Sequence, residues 1–201
     1  MDQSGRWQRE SKARLRADIL RERRQMSPVE VESATRRVHA ALLAHLSGRD
    51  AITVAAYYPL KDEPGGHLPE ALRAIGLRVL LPVLRADDDL EWAAFAGATT
   101  RTPRGLSEPD GPSLGLAAIA AVDVVVVPAL AVAADGTRLG RGGGSYDRAL
   151  ARVSAATPVI APLFDGEWPV EVPAAAHDRP VTAVCTPGAG VVSLVPLTTR
   201  M

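Results

Sequence analysis

Four glycines in five positions (Gly140, Gly142, Gly143 and Gly144, interrupted by Arg141) are the residues of this chain best placed to do chemistry. Without side chains the backbone can approach a ligand closely and take positive φ. The run follows an apolar stretch at 122–127, and a helical pattern resumes at about Ser145. Loop amide hydrogens and a helix N-terminus can therefore face the same anion. Arg138 and Arg141 add fixed positive charge within a few residues. Asp147 adds a hard oxygen ligand of the kind Mg2+ prefers. Glycine, arginine and aspartate together suit a magnesium-bound polyphosphate. A lone triple glycine could be only a flexible turn, but the preceding strand and the nearby Arg, Tyr and Asp weigh against that here. The loop is not a Walker sequence, because no Lys-Ser/Thr follows the glycines. Nor does it occupy the first strand–helix turn, where a dinucleotide fingerprint belongs.

Other candidates are weaker. Lys12 and Arg16 stand four apart and share one helix face; taken alone, a solvated basic face explains them. His39, His45, His67 and His177 are scattered, and none forms a metal-ligand pair at i, i+4. Trp7, Trp92 and Trp168 read as packing residues. Cys185, on an expected strand, reads as a small buried apolar side chain.

The elements that must hold these residues begin with two helices. Residues 9–25 carry good helix formers, with Leu15, Ile19 and Leu20 as a narrow apolar stripe among many arginines. Ser27-Pro28-Val29-Glu30 is a helix start: Ser27 can cap, Pro28 suits the first helical position, and Glu30 completes a capping box. Val31, Ala34, Val38, Ala41 and Leu42 recur at helical spacing, and Gly48 is a plausible stop. From residue 51 strands and helices alternate. Strands are expected at 52–58, 77–83, 90–95 and 122–127, and near 158–163, 181–185 and 191–195. Short helices are expected at 68–75, closed by Gly76, and at 116–121, and a long loop at 97–115. This alternation predicts a mostly parallel sheet covered by helices on both faces, with ligands at the carboxyl ends of its strands.

The 201 residues suit one domain, 1–201, with a substantial core. Apolar residues make up 47% and aromatic ones 4%, so Ala, Val and Leu must fill that core. The 23 basic and 23 acidic residues cancel, which argues against nucleic-acid or membrane partners; any anion site must come from local clustering. One cysteine permits neither an intramolecular disulfide nor a cysteine-based metal site. No run reaches the ~20 apolar residues of a membrane span, and the Arg-rich start lacks the apolar core of a signal peptide. Asp2, Glu10 and Asp18 argue against a transit peptide, so a cytoplasmic setting is expected.

The stretch 123–148 resembles the signature of the 5-formyltetrahydrofolate cyclo-ligases, also called 5,10-methenyltetrahydrofolate synthetases. Their pattern is a buried strand, Pro, a small-residue turn, Asp-x-x-Gly-x-Arg-Leu-Gly-Arg-Gly, then Lys or Gly, Gly, two tyrosines and Asp. The likeness runs from Lys12 to about Thr186. It implies a three-layer α/β/α fold and an enzyme with ATP as co-substrate and Mg2+ as cofactor; a monomer is expected. By resemblance, Lys12 and Arg16 contact ATP phosphates, and the nucleotide loop comprises Arg138, Leu139, Gly140, Arg141, Gly142, Gly143, Gly144, Ser145 and Tyr146. Tyr58, Glu63 and Tyr146 fall where relatives contact folate, and Asp147 and Asp178 match the magnesium site. Arg141 and Tyr146 fall in catalytic positions. Glu63, in the loop Pro59-Leu60-Lys61-Asp62-Glu63, suits the reading of a pterin's donor groups by a carboxylate. Lying far in sequence from the glycine loop, it should act on folate separately from ATP.

The reaction that the resemblance implies is ATP-dependent closure of 5-formyltetrahydrofolate to 5,10-methenyltetrahydrofolate, releasing ADP and phosphate. The formyl oxygen is phosphorylated first, and N10 then attacks the formyl carbon. This chain departs from the pattern at four places. Gly143 stands where many relatives have Lys, and Ser145 replaces the first tyrosine. Glu167 replaces Gln in Phe-x-x-Gln, and Arg104 stands where an aromatic is common. A non-catalytic nucleotide- or folate-binding paralogue is the alternative these departures raise. An unrelated sugar-phosphate or nucleotide enzyme on a similar sheet is a third; it would bind phosphate at the glycine loop without binding folate at Glu63.

Overall fold

The computed structural model describes residues 3–47, 53–174 and 178–194. Helix α1 (Gln3–Gln25) starts earlier than the pattern predicts and ends where it predicts. The capping box then forms as its chemistry requires. The Ser27 N–H donates to Glu30 Oε2 at 2.7 Å, and the Glu30 N–H donates to Ser27 Oγ at 3.3 Å. Such a cap contributes about 1 kcal/mol. It opens α2 (Pro28–Ser47), which buries Ala34, Val38, Leu42 and Leu46 at four-residue spacing. Gly48, the expected stop, lies outside the described residues, as does Ile52 at the start of the first expected strand.

Next come β1 (Thr53–Ala55), α3 (Leu68–Ala74), β2 (Arg78–Leu84) and β3 (Leu90–Ala94). The stretch 97–115, expected as one loop, instead contains a hairpin of β4 (Thr99–Arg101) and β5 (Ser107–Pro109). Three-residue strands built from Thr, Arg, Ser, Glu and Pro carry no apolar alternation that would reveal them. A 3₁₀ helix, Leu116–Ala121, leads into β6 (Val124–Val126). A second unanticipated pair, β7 (Ala131–Val132) and β8 (Arg138–Leu139), follows. Helix α4 (Ser145–Leu150) precedes β9 (Val159–Pro162), β10 (Ala183–Thr186) and β11 (Gly190–Ser193).

Seven strands form the central sheet in the order β11-β10-β9-β6-β1-β2-β3. The five inner strands pair in parallel, and β3 and β11 close the edges antiparallel. Strand β1 lies between β2 and β6, so the winding reverses there. The crevice beyond the carboxyl ends of β1 and β6 is where such sheets take ligands.

Period-two alternation separates the two cores. Val54 packs with Val38, Leu42 and Leu72 beneath α2 and α3, whereas Ala55 shares a cluster with Val125, Ala149 and Leu150 on the α4 side. This is the three-layer arrangement. Trp92 is fully buried, and Cys185 is buried on β10 as expected. Trp7 departs from its expected packing role, being 63% exposed. A third cluster (Ile19, Leu130, Ala131, Leu139 and Val172) docks α1 on the β7–β8 pair. Burial of Ile19 alone is worth about 2 kcal/mol. That docking sets the rotation of α1 and lays Lys12, Arg16 and Arg23, spaced four and seven residues apart, along one side of it. Among the described residues, no helix is long and apolar enough to cross a membrane.

Candidate active site

A cavity of about 670 Å³ opens at the carboxyl ends of β1 and β6. Its walls are formed by α1, the segment from Tyr57 to Glu63, the β2–β3 turn region with Pro82, Leu84 and Leu90, the pair Leu106–Ser107, the run from Pro128 to Asp147, and Asp178. Five cations (Arg9, Lys12, Arg16, Arg138 and Arg141) face it against three carboxylates, Glu63, Asp147 and Asp178. A chain of zero net charge thus carries a locally positive pocket, as an anionic ligand needs.

Lys12, Arg16, Arg138 and Arg141 are each held by a distinct contact. Lys12 Nζ lies 2.6 Å from Asp178 Oδ2. The Arg16 Nε–H donates to the Gly140 carbonyl at 2.8 Å, fastening α1 to the glycine loop. Arg138 is buried; its Nη2 donates to Asp147 Oδ1 at 2.8 Å and its Nη1 to the Pro128 carbonyl at 3.2 Å. Among the described residues its Nε finds no hydrogen-bond partner. Arg141 donates through Nη2 to Asp62 Oδ1 at 2.7 Å and through Nε to Glu63 Oε1 at 3.1 Å.

That last pair bears on the expected separation of Glu63 from the glycine loop. Glu63, 78 residues from Arg141 in sequence, touches it directly, so the two are coupled in this structure. Glu63 is 6% exposed, and its other oxygen accepts the Leu60 N–H at 3.0 Å, which fixes the carboxylate at the head of its loop. Asp62 carried no local signal of its own. Burial works to raise its pKa, but hydrogen bonding and charge from Arg141 outweigh it, and the carboxyl titrates below the usual range.

The glycine loop keeps its shape through two residues above all. Gly142 has φ +104° and lies against Arg16, where an added Cβ would sit 3.5 Å from the guanidinium carbon. Gly144, at φ +70°, adopts the left-handed conformation that caps α4. Leu139 is buried under α1, and Gly140, Gly143 and Ser145 line the cavity beside them.

Three tyrosines face the cavity. Tyr58 OH donates to Glu70 Oε1 at 2.9 Å and lies 3.0 Å from His67 Nδ1. Tyr57, missed in the sequence, is buried and donates to the Pro64 carbonyl at 3.3 Å. Tyr146 lies under Arg138, whose guanidinium carbon is 6.0 Å from the ring centroid. Burial, reinforced by the Glu63 charge, pushes its phenol far above 10, so Tyr146 stays a neutral hydrogen-bond donor at physiological pH.

Asp147 and Asp178 both line the cavity. Among the described residues no three His, Cys, Asp or Glu side chains gather into a metal cluster. Two cavity-facing carboxylates are the kind of donor Mg2+ takes, since it is commonly held by one or two carboxylates, water and substrate phosphates rather than by an all-protein cage. Each is paired here with a cation, however, Asp147 with Arg138 and Asp178 with Lys12. His177 lies outside the described residues.

The departures at 104 and 167 have local explanations. Arg104 Nη1 pairs with Asp88 Oδ1 at 2.7 Å on the surface. Glu167 is buried, and Arg23 reaches it with Nε at 2.7 Å and Nη2 at 2.8 Å. The carboxylate thus has its own counter-charge, where the family pattern carries a neutral amide.

A doubly wound α/β fold with a positive, glycine-walled pocket at its switch point is an arrangement that suits an anionic small molecule. Residues 8–187 match the model of the 5-formyltetrahydrofolate cyclo-ligase family. A 5-formyltetrahydrofolate cyclo-ligase of Mycolicibacterium smegmatis is 41% identical over 192 residues, covering 92% of this chain and 97% of that protein. The chain belongs to the 5-formyltetrahydrofolate cyclo-ligase family and is a ligase. Solved 5,10-methenyltetrahydrofolate synthetases share its fold. The Aquifex aeolicus structure superposes with TM-score 0.76 at 24% identity, covering 94% of this chain and 96% of that one. The Mycoplasma pneumoniae structure superposes with TM-score 0.72 at 21% identity, covering 88% and 98%.

Proposed function

We propose that this chain converts 5-formyltetrahydrofolate to 5,10-methenyltetrahydrofolate, consuming ATP and releasing ADP and phosphate. One observation carries the reading: the glycine loop, Lys12, Arg16 and Glu63 all face a single cavity, in a chain 41% identical to a cyclo-ligase over nearly its whole length.

The chemical problem is an unreactive amide. The formyl carbonyl on N5 is a poor electrophile, and N10 is a weak aryl amine. The formyl oxygen attacks the γ-phosphorus of ATP, and the bond to ADP breaks. N10 then forms a bond to the activated carbon and its proton is lost. The carbon–oxygen bond breaks, phosphate leaves, and the five-membered ring closes as the methenyl cation. Alignment and charge stabilisation supply most of the catalysis in such transfers. Lys12, Arg16, Arg138 and Arg141 are assigned to phosphate oxygens, together with the loop amides from Gly140 to Ser145. Glu63 and Tyr58 are assigned to the folate, and Tyr146 donates from its neutral phenol between the two ligands. Asp147 and Asp178 would hold Mg2+, which shields phosphate charge when bound. Arg141 must exchange Asp62 and Glu63 for phosphate, a move that would also release the Glu63 carboxylate to the pterin.

Purified protein with 5-formyltetrahydrofolate, ATP and Mg2+ should develop the methenyl absorbance band, and omission of ATP should abolish it. Binding of both ligands without that band would instead favour the non-catalytic paralogue.

The glycine at 143 does not weaken this reading. It has no positive φ, and an added Cβ meets only Ser145 Oγ, at 3.6 Å. Gly143→Lys should therefore fold normally. With Arg141 and the bare amides already facing the phosphates, kcat/KM for ATP should stay within about tenfold, ~1.4 kcal/mol. Steady-state kinetics checks this, and a rise of several orders of magnitude would mark the natural chain as catalytically impaired.

A further inference from the structure

The residue that joins the walls of the cavity lies outside it. Arg23 sits in the last turn of α1 with its side chain 1% exposed. All three nitrogens of its guanidinium are engaged. Nε and Nη2 fork onto the two oxygens of Glu167 at 2.7 and 2.8 Å. Nη1 donates to the Asp62 carbonyl at 3.0 Å, and Nη2 also donates to the Ala129 carbonyl at 2.9 Å. The ring of Phe164 lies against it, its centroid 5.3 Å from the guanidinium carbon. Glu167 is fixed in turn by the Phe164 N–H, which reaches Oε2 at 2.8 Å.

One rigid plane therefore ties together α1, the loop that carries Glu63, the segment that follows β6, and the turn at 164–167. Three of these four (α1, the Glu63 loop and the segment after β6) line the cavity. Asp62, whose carbonyl Arg23 holds, uses its carboxylate to hold Arg141, and Glu63 beside it does the same.

We infer that Arg23 is a positioning residue for the reaction: through the Asp62 and Ala129 carbonyls it fixes the distance between the Glu63 loop and the wall after β6, and so the width of the folate subsite. The inference rests on the proposed assignment of Glu63 to the folate. Arginine is required because its planar fork presents five donors at fixed angles, whereas an ammonium is a single point charge. Lysine at 23 could keep the charge opposite Glu167 but could not span both carboxylate oxygens and both carbonyls.

The test is Arg23→Lys beside wild type, with the KM for each substrate, kcat and the melting temperature measured in parallel. The KM for 5-formyltetrahydrofolate should rise about tenfold, while kcat at saturation and the KM for ATP stay within about threefold. A lowered melting temperature with an unchanged folate KM would make Arg23 purely structural and overturn the inference. Should Arg23→Lys not fold, the charge-free pair Arg23→Met/Glu167→Met removes the carbonyl contacts without stranding a charge. It should show the same rise in folate KM, and a folded double variant with wild-type folate KM would equally overturn the inference. Wild type that binds ATP but never turns over 5-formyltetrahydrofolate would instead sink the functional reading itself, and this inference with it. An active wild type whose variants keep their folate KM sinks only the role of Arg23.

Discussion

Arg141→Ala is expected to lower kcat/KM for ATP by about 10- to 150-fold, the loss of roughly 1.5–3 kcal/mol for a charge-assisted contact. The Arg141–Asp62 pair, with side chains 39% and 33% exposed, contributes at most about 1 kcal/mol to stability. Loss of the contact to the 5%-exposed Glu63 side chain adds to that, and the melting temperature reads the sum. The effect on folate is the more telling part. Arg141 Nε lies 3.1 Å from Glu63, so its removal leaves that buried carboxylate with the Leu60 N–H and no nearby cation from the glycine loop. The folate KM should therefore move as well, where independent half-sites would leave it unchanged. Steady-state kinetics with each substrate varied in turn, alongside a melting curve, separates these effects. A folded variant with unchanged ATP affinity and turnover would remove Arg141 from the site.

The second large effect is on stability. Glu167→Met would leave the Arg23 guanidinium buried without its counter-charge, which costs about 3–5 kcal/mol in comparable pairs. Burial raises the Glu167 pKa, while the Arg23 fork and the Phe164 N–H oppose that rise. Replacing both partners removes the burial penalty together with the attraction. Arg23→Met/Glu167→Met should accordingly regain most of the lost stability, and denaturant unfolding of the single and double variants measures the recovery. Additive losses in the double variant would mean that the two side chains are not energetically coupled.

These two pairs show what the sequence could and could not reveal. The capping box at Ser27 and Glu30 is written within four residues, and it forms as read. The inner strands were legible because burial on both faces leaves continuous Val, Ile and Ala runs, as at 122–127. The glycine loop was legible because the chemistry of a phosphate site concentrates in a few consecutive residues. Strands β4, β5, β7 and β8 escaped because two or three residues cannot display a period, and Arg, Thr and Pro mask what remains. Arg23 was one arginine among many on α1. Its importance comes from partners 39, 106 and 144 residues away, and only the tertiary fold supplies them. The Glu63–Arg141 contact escaped for the same reason, and the sequence distance between them suggested the opposite.

The central claim is that ATP activates the formyl oxygen of the folate, so the fate of that atom tests it most directly. With 5-formyltetrahydrofolate carrying ¹⁸O in the formyl group, a single turnover with unlabelled ATP and Mg2+ should place the label in inorganic phosphate, in proportion to the methenyl product formed. Methenyl product accompanied by unlabelled phosphate, with the ¹⁸O released to water, would contradict phosphorylation of the formyl oxygen and the mechanism built upon it.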